Sequence, residues 1–178
     1  MTFTNQVFGE KPWRLRYSVP SSEENEITRG TSKSSGKLST DGNSGYLVFP
    51  NGIGFGYNSL LISGNLTGIQ YNFKNHSFDL AYTIGDHISF TLGVGKLIYG
   101  RAEQEVNKEE YLTENSFGNS VFFNLGIPIL GMEFLLGYRQ NKIQYKNFQR
   151  IISENSVVLE ESVKLISSQI STGFGILF

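Results

Sequence analysis

The stretch KLISSQISTGFGILF, residues Lys164 to Phe178, decides how the chain is read. Phe178, Ile176, Phe174, Thr172, Ile170, Ser168 and Ile166 share one parity, and Leu177, Gly175, Gly173, Ser171, Gln169 and Ser167 share the other. Alternation with period 2 over thirteen residues is the pattern of a strand with one greasy face and one face of small uncharged groups. A strand facing bulk water would carry charge on its polar face. This one carries almost none.

The composition extends that reading to the whole chain. The 178 residues include 20 Gly, 14 Phe and 9 Tyr, with only 17% charged, which suits an all-β domain better than a helical one. A formal net charge of −1 argues against nucleic acid as a partner, because phosphate contacts need a basic surface. Without cysteine there is neither a disulfide framework nor a thiolate metal site, and no apolar run approaches the ~18 to 20 residues of a membrane helix. Met1 to Gln6 lack the basic and apolar regions of an export signal, so a secreted protein is expected to have had its signal removed.

Taken in order, alternation predicts strands over Lys11 to Val19, Tyr46 to Ile62, Leu66 to Phe73, His76 to Ile84, Ile88 to Arg101, Phe117 to Ile127, Met132 to Asn141 and Lys164 to Phe178. A bulge or strand limit is expected at Pro50, which cannot donate to a ladder. Tight turns are expected at Ser63-Gly64-Asn65, Lys74-Asn75, Gly85-Asp86-His87 and Pro128 to Gly131. At Lys74-Asn75 the apolar parity flips from odd to even, which is why a turn or bulge is placed there. Polar loops are predicted at about 21–45, 102–113 and 148–160. The expectation is one domain: an all-β, eight-stranded antiparallel up-and-down transmembrane β-barrel, long loops at one end and short turns at the other.

A soluble barrel would alternate too, with its greasy face inward around a ligand, and Trp13 near the start of the first strand is a feature of such carriers. Its outer face would then need Lys, Glu, Asp and Arg on most strands. The second, fifth, sixth and eighth predicted strands instead place Gly, Ser, Thr and Asn opposite the greasy face, a set that fits a narrow lumen. The greasy, aromatic face is therefore assigned to lipid.

The C-terminus carries a family resemblance. A terminal Phe178 with Ile176, Phe174 and Ile170 two, four and eight places before it resembles the β-signal of Gram-negative outer-membrane barrels. Thr172 departs from that pattern, which usually has an apolar residue there. From Lys11 to Phe178 the chain resembles the small eight-stranded barrels of the OmpA/OmpX type. The resemblance implies a bacterial outer-membrane location, outer-membrane lipid and lipopolysaccharide as surroundings, and the barrel-assembly machinery as reader of Phe174, Ile176 and Phe178. One fold carries many functions, so it says less about activity.

Arg14, Arg16, Asp79, Glu133 and Arg139 lie on the small-residue face and are expected inside the lumen. Eight strands leave an interior just wide enough for side chains, and unpaired charge there is costly, so these five are predicted to form a paired network that plugs the barrel. The alternative role is a gate on an ion path. Lipid-A-modifying relatives of this fold use His and Ser, which draws attention to His76, Ser77 and Asp79; adjacent strand residues point to opposite faces, so His76 and Ser77 do not converge. The acidic run Glu103 to Glu114 matches no calcium-loop spacing and is read as a solvated, self-repelling loop. The expectation is a monomer without catalytic residues, metal or cofactor, acting through surface loops on a surface ligand or in envelope integrity. A hydrophobic-molecule carrier and a lipid-A-modifying enzyme are the alternatives. The carrier rests on a predicted notch: strands of about 8 to 9 residues between Leu66 and Ile84 barely reach across the hydrocarbon, opening a lateral exit above Phe73 and His76.

If the terminal strand is an assembly signal, deleting Phe178 lowers the amount of folded barrel in the membrane while synthesis is unchanged. The barrel that does fold loses only about 1.5 to 3 kcal/mol, the contribution of one interfacial aromatic. Immunoblots of membrane fractions alongside equilibrium unfolding check both halves.

Overall fold

The computed structural model describes residues 11–36, 38–85, 87–150 and 157–178. The N-terminal stretch that bears on an export signal, Asp86 of one predicted turn, and the middle of the third predicted loop lie outside them. The described chain is ten strand segments: β1 (Arg14–Arg29), β2 (Ser32–Gly36), β3 (Ser39–Val48), β4 (Ile53–Leu66), β5 (Ile69–Ile84), β6 (Ser89–Val106), β7 (Glu109–Thr113), β8 (Ser116–Ile129), β9 (Met132–Arg150) and β10 (Val157–Leu177).

Ten segments make eight wall strands. β2 and β3 both pair with β1, and β7 and β8 both pair with β6 and β9, so each couple is one wall strand with an interruption. All neighbours are antiparallel, and the sheet closes because β10 pairs with β9 on one side and with β1 on the other, from Arg14↔Leu177 to Arg29↔Val163. It is an eight-stranded antiparallel up-and-down barrel.

The wall count agrees with the sequence expectation through two errors that cancel. Tyr46 to Ile62 is two strands, not one: a turn at Phe49 to Gly52, closed by Gly52 N–H donating to the Phe49 carbonyl at 2.9 Å, separates β3 from β4. Conversely, Leu66 to Ile84 contains one strand, not a hairpin. Ser63-Gly64-Asn65 lies inside β4, the chain reverses at Thr67-Gly68, and β5 runs unbroken through Lys74-Asn75. Thr67 (φ 54°) and Gly68 (φ 80°) both lie in the left-handed region, as a two-residue hairpin requires.

The three polar stretches are corrected as well. Residues 21–45 and 102–113 are hairpins rather than loops, reversing at Gly30-Thr31 and Asn107-Lys108, and β9 and β10 extend to Arg150 and from Val157 on either side of the third. Their polarity is real, but it belongs to strands that rise past the lipid. The notch goes with the loops. β5 pairs with β6 as far as Gln70↔Glu105, one residue short of the end of β6, so the β4–β5 hairpin stands as high as its neighbour.

Along β5 the odd residues point inward throughout, so the parity flip at Lys74-Asn75 is a change in what lies outside. Toward the end holding the chain termini, Ile84, Tyr82, Leu80 and Phe78 are exposed, while Thr83, Asp79 and Ser77 are buried. Toward the far end, Lys74, Asn72 and Gln70 are exposed, while Phe73 and Tyr71 are buried. β4 does the same, with Tyr57 and Phe55 outside below, and Leu60 and Ile62 inside above. A greasy exterior belt thus surrounds a polar lumen, and a far-end storey above it packs Ile27, Leu38, Leu60, Ile62, Phe73 and Tyr145 into an apolar core. The belt is the transmembrane part. The far-end storey obeys the rule for protein in water.

Two phenylalanines on β5 separate the storeys experimentally. Phe73→Ala removes a fully buried ring and should cost the far-end storey about 3 to 5 kcal/mol, whereas Phe78→Ala trims a lipid-facing ring and should cost well under half of that. Amide exchange in the far-end halves of β4 and β5, with a heat-shift gel reporting the intact belt, distinguishes them.

Candidate functional site: the charged lumen

The five charges predicted for the lumen form two groups. Arg14 and Arg16, two residues apart on β1, point inward and meet Glu133, the second residue of β9, which is wholly buried. Arg14 Nη1 donates to Glu133 Oε1 at 2.7 Å, and Arg16 donates from Nε to Oε2 at 2.7 Å and from Nη2 to Oε1 at 2.9 Å. Ser89 Oγ donates to the same carboxylate. The remaining N–H groups of Arg16 reach Thr91 Oγ1 at 2.5 Å, Thr83 Oγ1 at 3.3 Å and Ser89 Oγ at 2.9 Å, while Arg14 Nη2 reaches the Gly85 carbonyl at 3.0 Å. Glycine makes the room: a Cβ on Gly175 would lie 3.2 Å from Glu133 Oε2.

The second group sits farther up the lumen. Arg139 on β9 donates to Asp79 on β5 through Nη2 at 2.5 Å and Nη1 at 3.3 Å, to Tyr46 Oη at 2.5 Å and to Ser120 Oγ at 2.9 Å. The Tyr46 hydroxyl in turn donates a 2.9 Å hydrogen bond to Asp79 Oδ2. The guanidinium lies over the Phe122 ring at 4.5 Å, and Phe122 packs on Tyr46 at 5.2 Å between centroids. Glycines at every second position of β4 and β6 make sockets for these rings: a Cβ on Gly56 would strike Tyr46, and one on Gly93 would strike Phe122. Tyr46, Phe122, Ser89, Thr83, Thr91 and Ser120 belong to the network and were not named from the sequence. The tell was the run of alternating glycines, which marks close neighbours without naming them.

His76 and Ser77 lie on opposite faces. His76 is outside, between Tyr57 and Tyr99 at 5.5 and 5.7 Å and bonded through Nδ1 to the Tyr57 hydroxyl at 2.6 Å, whereas Ser77 is buried in the lumen. The acidic run Glu103 to Glu114 is compensated in part, although Glu105 and Glu110 stand opposite each other. Arg101 donates to Glu103 at 2.6 Å and lies 3.5 Å from Glu114, and Arg150 pairs with Glu109. Phe174, Ile176 and Phe178 all face outward, and Phe178 closes the ladder to Trp13, whose N–H donates to the Phe178 carbonyl at 2.9 Å. The wall ladder is interrupted twice among the described residues: β6 pairs with β8 only as far as Lys96↔Asn119 and with β7 only from Ala102↔Thr113, and a second break lies beside β1. β1 pairs with β3 only as far as Ser18↔Ser44 and with β2 only from Asn25↔Gly36, and a cleft of about 430 Å³ lined by Ser22, Glu23, Glu24, Ser35 and Gln169 lies there.

Closed eight-strand topology, a lipid-facing belt and a charged lumen define the fold of the small outer-membrane β-barrels. Among solved structures, Neisserial surface protein A is similar, with a TM-score of 0.63 at 12% identity over 93% of this chain and 97% of that one. So is Ail, the attachment invasion locus protein of Yersinia pestis, at 0.55 and 13% identity over 94% and 100% of the two chains. OprG of Pseudomonas aeruginosa follows at 0.50 and 11% identity, covering 95% and 96%. No family model and no curated protein matches the sequence.

Glu133→Gln leaves two buried guanidiniums facing a neutral group and should destabilise the barrel by about 3 to 5 kcal/mol, because uncompensated buried charge is the costly state. Replacing Arg14, Arg16 and Glu133 together by Met, Met and Leu should cost less than that single change. Urea unfolding in lipid vesicles measures both.

Proposed function

We propose that this chain is a monomeric, non-enzymatic outer-membrane barrel with a plugged lumen, acting through its far-end hairpins in adhesion or another surface interaction, or in envelope integrity. The observation that carries the reading is the double filling of the interior. Two ion-pair groups occupy the lumen at belt level, and the apolar core of Ile27, Leu60, Ile62, Phe73 and Tyr145 occupies it above. A water path would have to break both. With the lumen filled, the surface left for recognition is that of the tall hairpins. Their charges are held in place by pairs such as Arg29–Glu161, with Nη2 to Oε2 at 2.8 Å, and Lys33–Glu26 at 2.8 Å. Similarity in fold to Ail, the attachment invasion locus protein of Yersinia pestis, is consistent with a surface role.

The two alternatives lose their supports. The carrier needed an exit over a short β4–β5 hairpin, and that hairpin is tall. The lipid-A-modifying enzyme needed His76 and Ser77 on one face, and they are on two.

Planar bilayers holding the purified protein should show no steady conductance. Cells displaying it should bind host-cell monolayers or matrix more than cells displaying a version with the Glu26–Ser35 and Glu103–Tyr111 tips replaced by short Gly-Asn turns. A reproducible ion-selective current would overturn the plug, and equal binding by the trimmed version would overturn the role of the hairpins.

A further inference from the structure

Outside the lumen groups several described lysines are in no ion pair, and three of them lie together. On the outside of the wall, at the upper edge of the greasy belt with exposed Ile98 and Phe117 just beyond, Lys96 (β6), Lys142 (β9) and Lys164 (β10) surround a cleft of about 210 Å³ completed by Asn119, Gln144 and Phe117. Register brings them together. Lys96 pairs with Asn119, Asn119 pairs with Lys142, and Gln144 pairs with Lys164. With strands about 4.8 Å apart, Lys96 and Lys142 stand on the order of 10 Å from each other, within joint reach of one tetrahedral anion for side chains of this length. Lys146, one outward position above Gln144, holds its ammonium 4.9 Å from the centroid of Phe117.

Three features point to a ligand. No carboxylate lines the cleft. Among the described residues, Arg29, Lys33, Arg101 and Arg150 each pair with a glutamate, while Lys96, Lys142, Lys146 and Lys164 are in no ion pair. Like charges gathered this closely repel one another unless an anion lies between them. The height then selects the anion. Two residues below Lys96 is exposed Val94, two below Asn119 is exposed Val121, and four below Lys142 is exposed Tyr138, so an acyl chain lying on these side chains carries its headgroup to the lysines.

We infer that this cleft binds the phosphate of an outer-leaflet glycolipid, a phosphorylated sugar headgroup whose acyl chains run down the belt over Val94, Val121 and Tyr138. The lysines supply charge, with ammonium groups acting as point-charge phosphate ligands. Asn119 and Gln144 supply neutral hydrogen bonds to sugar hydroxyls, and Phe117 gives an apolar floor. The site would seat one lipid on one side of the barrel, across β6, β8, β9 and β10, and leave the opposite wall to bulk lipid. The inference rests on the outer-membrane reading above.

Native mass spectrometry of the detergent-solubilised barrel tests it, with three probes at equal concentration: bis-phosphorylated lipid A, the same lipid dephosphorylated, and inorganic phosphate as competitor. The wild type should retain phosphorylated lipid A at least tenfold better than the K96Q/K142Q/K164Q variant and at least tenfold better than the dephosphorylated lipid, with retention weakening as salt rises. Inorganic phosphate should not displace it. The conservative K96R/K142R/K164R variant should restore retention. A heat-shift gel on every variant shows that the barrel is folded, and these substitutions lie outside the core. Equal retention by the Gln variant, or of the dephosphorylated lipid, overturns the site, and displacement by inorganic phosphate reassigns it to the free anion. A protein that stays soluble without detergent overturns the outer-membrane reading itself, a separate outcome.

Discussion

Hydrocarbon offers no partner to a backbone N–H or C=O, so every such group at belt level must be bonded within the protein. That constraint makes β10 the strand on which the structure depends. It pairs with β9 along one side and takes β1 along the other, turning an open sheet with two exposed edges into a closed wall. The same constraint orders the features beside it. The Trp13–Phe178 bonds carry the ladder to the last residue, and the seam between β1 and the second wall strand begins above Ser18, where the greasy exterior of β1 gives way to Ser21, Ser22 and Glu24.

Closure determines which side of each strand faces which medium, and the medium sets the rest. At belt level the outside is lipid, so the apolar residues go out and the lumen inherits the charges. Desolvated there, Glu133 and Asp79 persist because arginine forks and hydroxyls satisfy their oxygens. A few residues higher the outside is water, and the apolar residues turn inward, on β4 and β5 with the alternation unbroken and on β1 and β6 across a bulge. One continuous sheet therefore obeys two opposite burial rules. The lysines of β6, β9 and β10 stand at the boundary between them, where neither lipid tails nor a protein carboxylate meets their charge.

Much of this was legible from alternation. The lipid-facing residues, the five lumen charges and the closing strand all follow from period 2 together with a polar face too poor in charge for water. Alternation is local, however, and locates a side chain on a face without saying what lies beyond that face. The flip at Lys74-Asn75 reads as a turn or bulge because a parity change usually means the chain has slipped or reversed; β5 itself keeps its alternation, the slip next to it lies in β6 opposite His76 and Ser77, and the solvent changes. Residues 21–45 looked like a loop because polarity usually means irregular backbone, whereas these are strands in water. Pro50 marks a strand limit, as its missing N–H implies, and the apolar parity that resumes after it belongs to the next strand.

The sequence by itself determined the class of architecture, the two faces and the identity of the charged lumen residues, because side-chain chemistry along a strand reports its immediate surroundings. Only the tertiary structure decided which charges meet. Arg14 and Arg16 share Glu133 across 119 and 117 residues, and Arg139 finds Asp79 across 60 and Tyr46 across 93. Those partners are set by closure and register, quantities that belong to pairs of strands. No single stretch of chain contains them.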